Sequence, residues 1–354
     1  MGRTKAIVLT NGMLETTFAK TCHGLLRGTE RFEILAVIDH AHAGKDAGEV
    51  LDGQARGIPI SATVADYFAR PDADTPQACV VGVALPGGQL PAEFRTELVA
   101  ATQNGCDLVN GLHTFLSDDP EFQQLAAEQN IQLIDVRKPR PRHELQFWTG
   151  EIYQVQQPII AVLGTDCALG KRTTTRWVME ALRQQGRSAE MIYTGQTGWM
   201  QGSPYGFVFD STINDFIGGE LEKAVLQCAR ETNPDFILLE GQSSLRNPSG
   251  PCGSEYLRSA NAKGVILQHA PGRHHFEGSQ VPIGSIQQDL DLIRIYGSEV
   301  LAISLNGEEL SAEALVEAQE VLRQETGLPV VRPMEEGVGE IVDAVLNWSI
   351  KIQP

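Results

Sequence analysis

The stretch "AVLGTDCALGKRTTT" (residues 161–175) decides how the second half of this chain is read. It completes an apolar run, "IIAVL", turns through Gly164 and Gly170, reaches Lys171 and three threonines, and continues as the helix-periodic "RTTTRWVMEALRQQG". A strand that feeds a glycine turn and then a helix makes an anion cradle. The glycines let the backbone curl so that N–H groups point inward, the helix start adds partial positive charge, and the lysine adds a full one. The usual phosphate-loop spacing is G-x-x-x-x-G-K-[ST]. Here five residues separate the glycines, and Arg172 stands between Lys171 and Thr173. The turn is expected to hold phosphate through Gly164, Thr165, Gly170, Lys171, Arg172, Thr173 and Thr174. The fork of Arg172 suits a second phosphate, and Thr173 or Thr174 would donate to a phosphate oxygen or ligate magnesium. Asp166, inside the turn, is a candidate catalytic carboxylate.

Downstream stretches add chemistry. "DFILLEGQSSL" (235–245) reads as a buried strand ending on Glu240, where a carboxylate beside a phosphate loop handles magnesium or a reacting proton. "YTGQTGWMQG" (193–202) reads as a loop at the ligand edge, with Gln196 and Thr197 as substrate contacts. "LQHAPGRHHFEG" (267–278) offers His269 as a base and Arg273 as a partner for a substrate carboxylate. The adjacent His274 and His275 point in different directions, and nothing is spaced to finish a zinc site with them.

Upstream, apolar runs at 6–9, 33–39, 78–84, 107–111 and 131–136 alternate with helical stretches, which predicts a doubly wound parallel sheet. A second strand set follows at 159–164, 188–195, 235–241, 264–270, 299–307 and 328–333. The expected fold is α/β throughout: a Rossmann-like domain over 1–140, a proline-rich linker over 141–157, and a P-loop NTPase-like domain over 158–354. Asp39 closes the second strand where a ribose-binding acid would stand, but G-x-G-x-x-G is missing, which weighs against a dinucleotide.

Composition sets limits. Acidic residues outnumber basic ones by 45 to 28, for a net charge of −17, so nucleic acid and anionic membrane are not expected partners. Six scattered cysteines fit reduced thiols, and no secretory or membrane-spanning run is apparent, so a cytoplasmic location is expected. Homo-oligomeric association is expected of a parallel-sheet enzyme of this size.

Taken together, "GTDCALGKRTT", "TGQTG", "LLEGQSSL" and "LQHAPGR" resemble the two-domain family long labelled a domain of unknown function, members of which have been assigned as D-glutamate N-acetyltransferases. The likeness covers essentially the whole chain, and the four motifs are specific jointly. It implies acetyl transfer from acetyl-CoA to the amine of an acidic amino acid, D-glutamate, with the loop holding CoA phosphates. Gly164, Gly170, Lys171, Arg172 and Thr173 match that family's loop, and Glu240 and His269 match its other motifs. Residues 159–354 are also similar to dethiobiotin synthetase. That likeness implies an alternative, an ATP-dependent ligase-type enzyme in which Thr173 and Glu240 hold Mg2+, although the inserted arginine sets this loop apart. A nucleotide-binding regulator is the third reading. Under the first reading Glu240 or His269 serves as base, and Arg172 or Arg273 grips the substrate carboxylates.

Overall fold

The computed structural model describes residues 2–352 and divides the chain into two compact units. The first holds the chain up to Pro139 together with Gln196–Ser203; the second holds Arg140–Gly195 and everything from Pro204 onward. Both are parallel α/β units.

In the first unit the order is β1 (Thr4–Leu9), α1 (Lys20–Arg27), β2 (Phe32–Ile38), α2 (Ala47–Asp52), β3 (Ile60–Ser61), α3 (Val64–Phe68), β4 (Ala78–Val81), α4 (Ala92–Gln103), β5 (Asp107–Asn110), α5 (Pro120–Gln129) and β6 (Leu133–Asp135). The six strands lie in the order β3-β2-β1-β4-β5-β6, all parallel, which is the doubly wound Rossmann arrangement. The strands carry side chains buried on both faces, as the continuous runs "AIVL" and "ACVV" require. Helix starts follow local chemistry: Asp46, Thr63 and Asp119 each accept first-turn amides of the helix they precede.

The second unit opens with β7 (Ile159–Gly164) and α6 (Lys171–Gln184), then β8 (Ala189–Tyr193). The chain next forms α7 (Gln196–Gln201), which belongs to the first unit, and returns as β9 (Tyr205–Gly206) and α8 (Asn214–Thr232). It continues through β10 (Phe236–Glu240), α9 (Ser254–Arg258), β11 (Gly264–His269), α10 (Ile286–Ile295), β12 (Glu299–Leu305), α11 (Ala312–Thr326), β13 (Val330–Val331), α12 (Pro333–Glu336) and α13 (Gly339–Ile352). Strand order is β13-β12-β11-β7-β10-β8-β9, again all parallel. All six residues of β7 and all five of β10 are buried, and each large apolar side chain so placed contributes about 1.5–3 kcal/mol.

Three details differ from expectation. The two-residue strands β3 and β9 are too short to carry a readable pattern. Residues 193–202, read as a loop, contain the helix α7. The stretch 141–157, read as a linker, is bound to α8: Glu220 accepts from the Gln146 amide at 2.7 Å, and Glu222 accepts from Thr149 N at 2.6 Å and Ile152 N at 3.1 Å. Arg140 pairs with Glu220, and Ile152 is fully buried. Among the described residues no helix is long and apolar enough to cross a membrane.

Candidate active site

The loop between β7 and α6 sits at the carboxyl edge of the second sheet, flanked by the loops that follow β10, β11 and β12. Its sharp exit is built on left-handed backbone: Ala168 has φ 53° and Gly170 φ 97°. α6 then begins at Lys171, and its first amides have no acceptor within the helix. Lys171 is buried, its Nζ donating to Asp166 O at 2.6 Å and Ser243 O at 2.9 Å. Burial pushes its pKa down, and the neighbouring Cys167 and Asp166 pull it back. Thr174 Oγ1 donates to Gln268 Oε1 at 2.8 Å, and Thr175 Oγ1 returns to Lys171 O at 2.7 Å. Thr173 lies half-buried beside them.

Asp166 is fully buried, and both its oxygens are taken. Asn247 Nδ2 donates to one at 2.8 Å; Arg273 Nη1 at 3.1 Å and the Glu277 amide at 2.7 Å donate to the other. Arg273 also donates to Cys167 O at 2.8 Å and pairs with Glu308. These two residues, expected as a catalytic acid and a substrate clamp, spend their hydrogen bonds on tying the strand-end loops together.

Glu240 lies at the end of β10, 3% exposed. Its Oε2 accepts the Thr194 amide at 3.1 Å, and Oε1 is 4.0 Å from Arg172 Nη1. Burial raises its pKa above the ordinary glutamate value, against the opposing pull of Arg172, the Thr194 amide and Lys171. Gly241, just beyond, must be glycine, because a Cβ there would stand 2.2 Å from Val162 O. His269 ends β11 with Nδ1 3.0 Å from Thr165 Oγ1. Burial, assisted by Arg246, lowers its pKa to about 4, so the ring is neutral at pH 7.

The second unit thus brings together Gly164, Thr165, Asp166, Gly170, Lys171, Arg172, Thr173, Thr174, Glu240, His269 and Arg273. Gln196 and Thr197, read as substrate contacts, fall in the first unit, where Thr197 Oγ1 lies 3.0 Å from Thr21 Oγ1 and both are buried. Sequence reading did not single out Thr194, Ser243, Asn247, Gln268 and Glu308; each joins the loop network through a partner 35 to 94 positions away, and although Thr194, Ser243 and Gln268 lie inside the quoted motifs, no local signal marks the contacts they make. Among the described residues no three His, Cys, Asp or Glu side chains gather to hold a metal.

At the corresponding edge of the first unit, Asp39 is also fully committed. Its carboxylate accepts from Thr10 Oγ1 at 2.7 Å, Gly12 N at 2.8 Å and Leu14 N at 3.1 Å, and pairs with His42 Nδ1 at 2.7 Å. An acid so engaged has little left to offer a ribose.

Fold and loop together define a two-domain α/β protein whose second domain carries a P-loop-type turn between β7 and α6. The chain belongs to the DUF1611 family: residues 146–342 match its P-loop domain of unknown function, and residues 40–139 match its Rossmann-like domain. A crystal structure of a DUF1611 family protein from Anabaena variabilis matches with a TM-score of 0.88 at 30% identity, covering 98% of this chain and 100% of that one. A D-glutamate N-acetyltransferase from Pseudoalteromonas sp is 32% identical over 271 residues, 74% of this chain and 79% of the relative. One from Tritonibacter scottomollicae is 28% identical over 274 residues, 75% and 80% respectively.

Proposed function

We propose that this protein transfers an acetyl group from acetyl-CoA to the amine of D-glutamate. The names of the two relatives support the reading, and one observation of the site carries it chemically: a buried carboxylate of raised pKa, Glu240, stands beside a cationic phosphate turn. An amine is protonated at neutral pH and must lose a proton before it can attack a carbonyl. A base whose pKa has been moved toward neutrality is suited to take it.

The donor set fits the phosphates of CoA. Lys171, the first-turn amides of α6 and the Thr173 hydroxyl are the groups that would hold them, Thr174 having given its one hydroxyl proton to Gln268. The thioester supplies an activated acetyl group when bound; the protein supplies position and charge. Glu240 accepts the ammonium proton. Neutral His269 shares one hydrogen bond between Nδ1 and the Thr165 hydroxyl; in the tautomer protonated on Nε2 it would serve as a hydrogen-bond donor to developing negative charge, a role its low pKa favours over that of base. Because Arg273 is engaged by Asp166 and Glu308, Arg172 takes the substrate carboxylate in this reading.

The test is direct. Purified protein given acetyl-CoA and D-glutamate, with no ATP or magnesium, should release free thiol and form N-acetyl-D-glutamate. Turnover that appears only on adding ATP and magnesium would overturn the assignment.

A further inference from the structure

We infer that Glu240, Arg172, Gln242 and Gly195 form a site for the head of an α-amino acid, with its primary ammonium on Glu240 Oε1 and its α-carboxylate on Arg172 and Gln242. All four residues lie in the second unit. The inference rests on Glu240 receiving the substrate ammonium, as proposed above. It adds Gln242 and Gly195 as specificity-determining residues and narrows the substrate class to α-amino acids.

The two oxygens of Glu240 are placed differently. Oε2 accepts the Thr194 amide at 3.1 Å. Oε1 faces Arg172 Nη1 at 4.0 Å, beyond the ~3.2 Å reach of an N–H···O bond. Both groups are withdrawn from water: Glu240 is 3% exposed and the Arg172 side chain 18%. A withdrawn carboxylate and guanidinium that stop short of contact gain by finding further partners. An α-amino acid carries its ammonium and its carboxylate on one carbon. Its head can therefore bridge the pair, donating to Oε1 and accepting from Nη1.

Gln242 supplies a second donor. The Thr194 hydroxyl gives its single proton to Glu240 O at 2.5 Å, so toward other groups it can only accept. It accepts from Gln242 Nε2 at 3.1 Å and from the fully buried Tyr256 hydroxyl at 3.3 Å. That contact orients the Gln242 amide and uses one of its two N–H groups. The other has no acceptor among the described residues.

Gly195 leaves the room. A Cβ there would find Gln242 Nε2 at 3.0 Å, Glu240 Oε1 at 3.8 Å and Gln242 Cδ at 3.9 Å as its nearest neighbours. The backbone does not demand glycine, because Gly195 is not among the residues of positive φ. What glycine provides is space where the amide and the carboxylate converge.

The experiment compares D-glutamate with γ-aminobutyrate, which is glutamate without its α-carboxylate, on the full chain. In wild type, KM for γ-aminobutyrate should exceed that for D-glutamate at least about a hundredfold. Gln242→Leu should raise KM for D-glutamate roughly tenfold, while the values for γ-aminobutyrate and acetyl-CoA move less than about twofold. A merely structural role for Gln242 would raise both amine values together. Gly195→Ala should raise both, since its methyl crowds Oε1 itself, and leave that for acetyl-CoA unmoved. Where γ-aminobutyrate turns over too slowly, its inhibition constant against D-glutamate takes the place of KM. Equal values for the two amines in wild type would overturn the inference. So would an unchanged KM for D-glutamate in either variant, and if one variant fails to fold the other decides. Absence of acetyl transfer in wild type would remove the proposed activity, and calorimetric titration of the two amines would then judge the site. A preference for D-glutamate that Gln242→Leu abolishes upholds it; equal binding, or none, overturns it.

Discussion

Two carboxylates end strands at the carboxyl edges of the two sheets, and they are treated in opposite ways. Asp39, after β2, has hydrogen-bond donors on every side; burial pushes its pKa up, but Thr10, His42, Leu14 and Gly12 together hold it below the ordinary aspartate value. Glu240, at the end of β10, receives one amide and has an arginine 4.0 Å away, and burial leaves its pKa raised. The first is a knot that holds loops together. The second is a group whose proton is poorly settled. Similar scaffolds yield structure in one place and reactivity in another according to how many donors surround the oxygen.

The comparison can be broken experimentally. Glu240→Gln should lower kcat at least ~100-fold, about 3 kcal/mol, because a general base is lost while the amide stays. Calorimetry should find acetyl-CoA affinity unchanged; equal rates in variant and wild type would end the assignment. Removing a buried carboxylate of raised pKa should also stabilise the fold progressively as pH rises above the unfolded glutamate value, since ionising it opposes the folded state there.

His269 gives the next largest effect. Its folded pKa of about 4 lies below the unfolded value near 6.5, so the unfolded chain binds more protons between those values, and stability falls as pH drops through that window. The full loss is roughly 3 kcal/mol below the folded pKa. Urea unfolding at pH 7 and near pH 4 should show this drop in wild type and a drop smaller by that amount in His269→Gln.

Asp39→Asn sharpens the contrast from the other side. It should cost roughly 2 kcal/mol of unfolding free energy by disturbing a buried network, with kcat unaltered. A kcat loss matching that of Glu240→Gln would erase the distinction. Lys171→Ala should produce the smallest of these changes, weakening CoA binding about tenfold by calorimetry through loss of one charged contact.

Much of the architecture was legible because its signals are local. Apolar runs marked β1, β2, β4 and β7, and the glycines, Lys171 and the helical period marked the turn from β7 into α6. The helix over Gln196–Gln201 was illegible because "GQTGWMQG" has the composition of a loop; its form comes from residues Thr21 to Arg31, some 170 positions away. The stretch 141–157 looked like a linker for the same reason, since the carboxylates that hold it, Glu220 and Glu222, lie on a helix about 70 residues downstream. Asp166 was recognised as important by its place in the turn, but its saturation by Asn247, Arg273 and Glu277 depends on loops that only tertiary structure assembles.

The excursion of the chain at Gln196–Ser203 has a consequence for inheritance. A gene cut near codon 140 would leave one product without the segment that covers Thr21 and Gly24, and the other with Trp199 and Met200 stripped of their seat. Neither piece could be recombined with a foreign neighbour at a single junction, so the two halves are expected to travel through evolution as one gene.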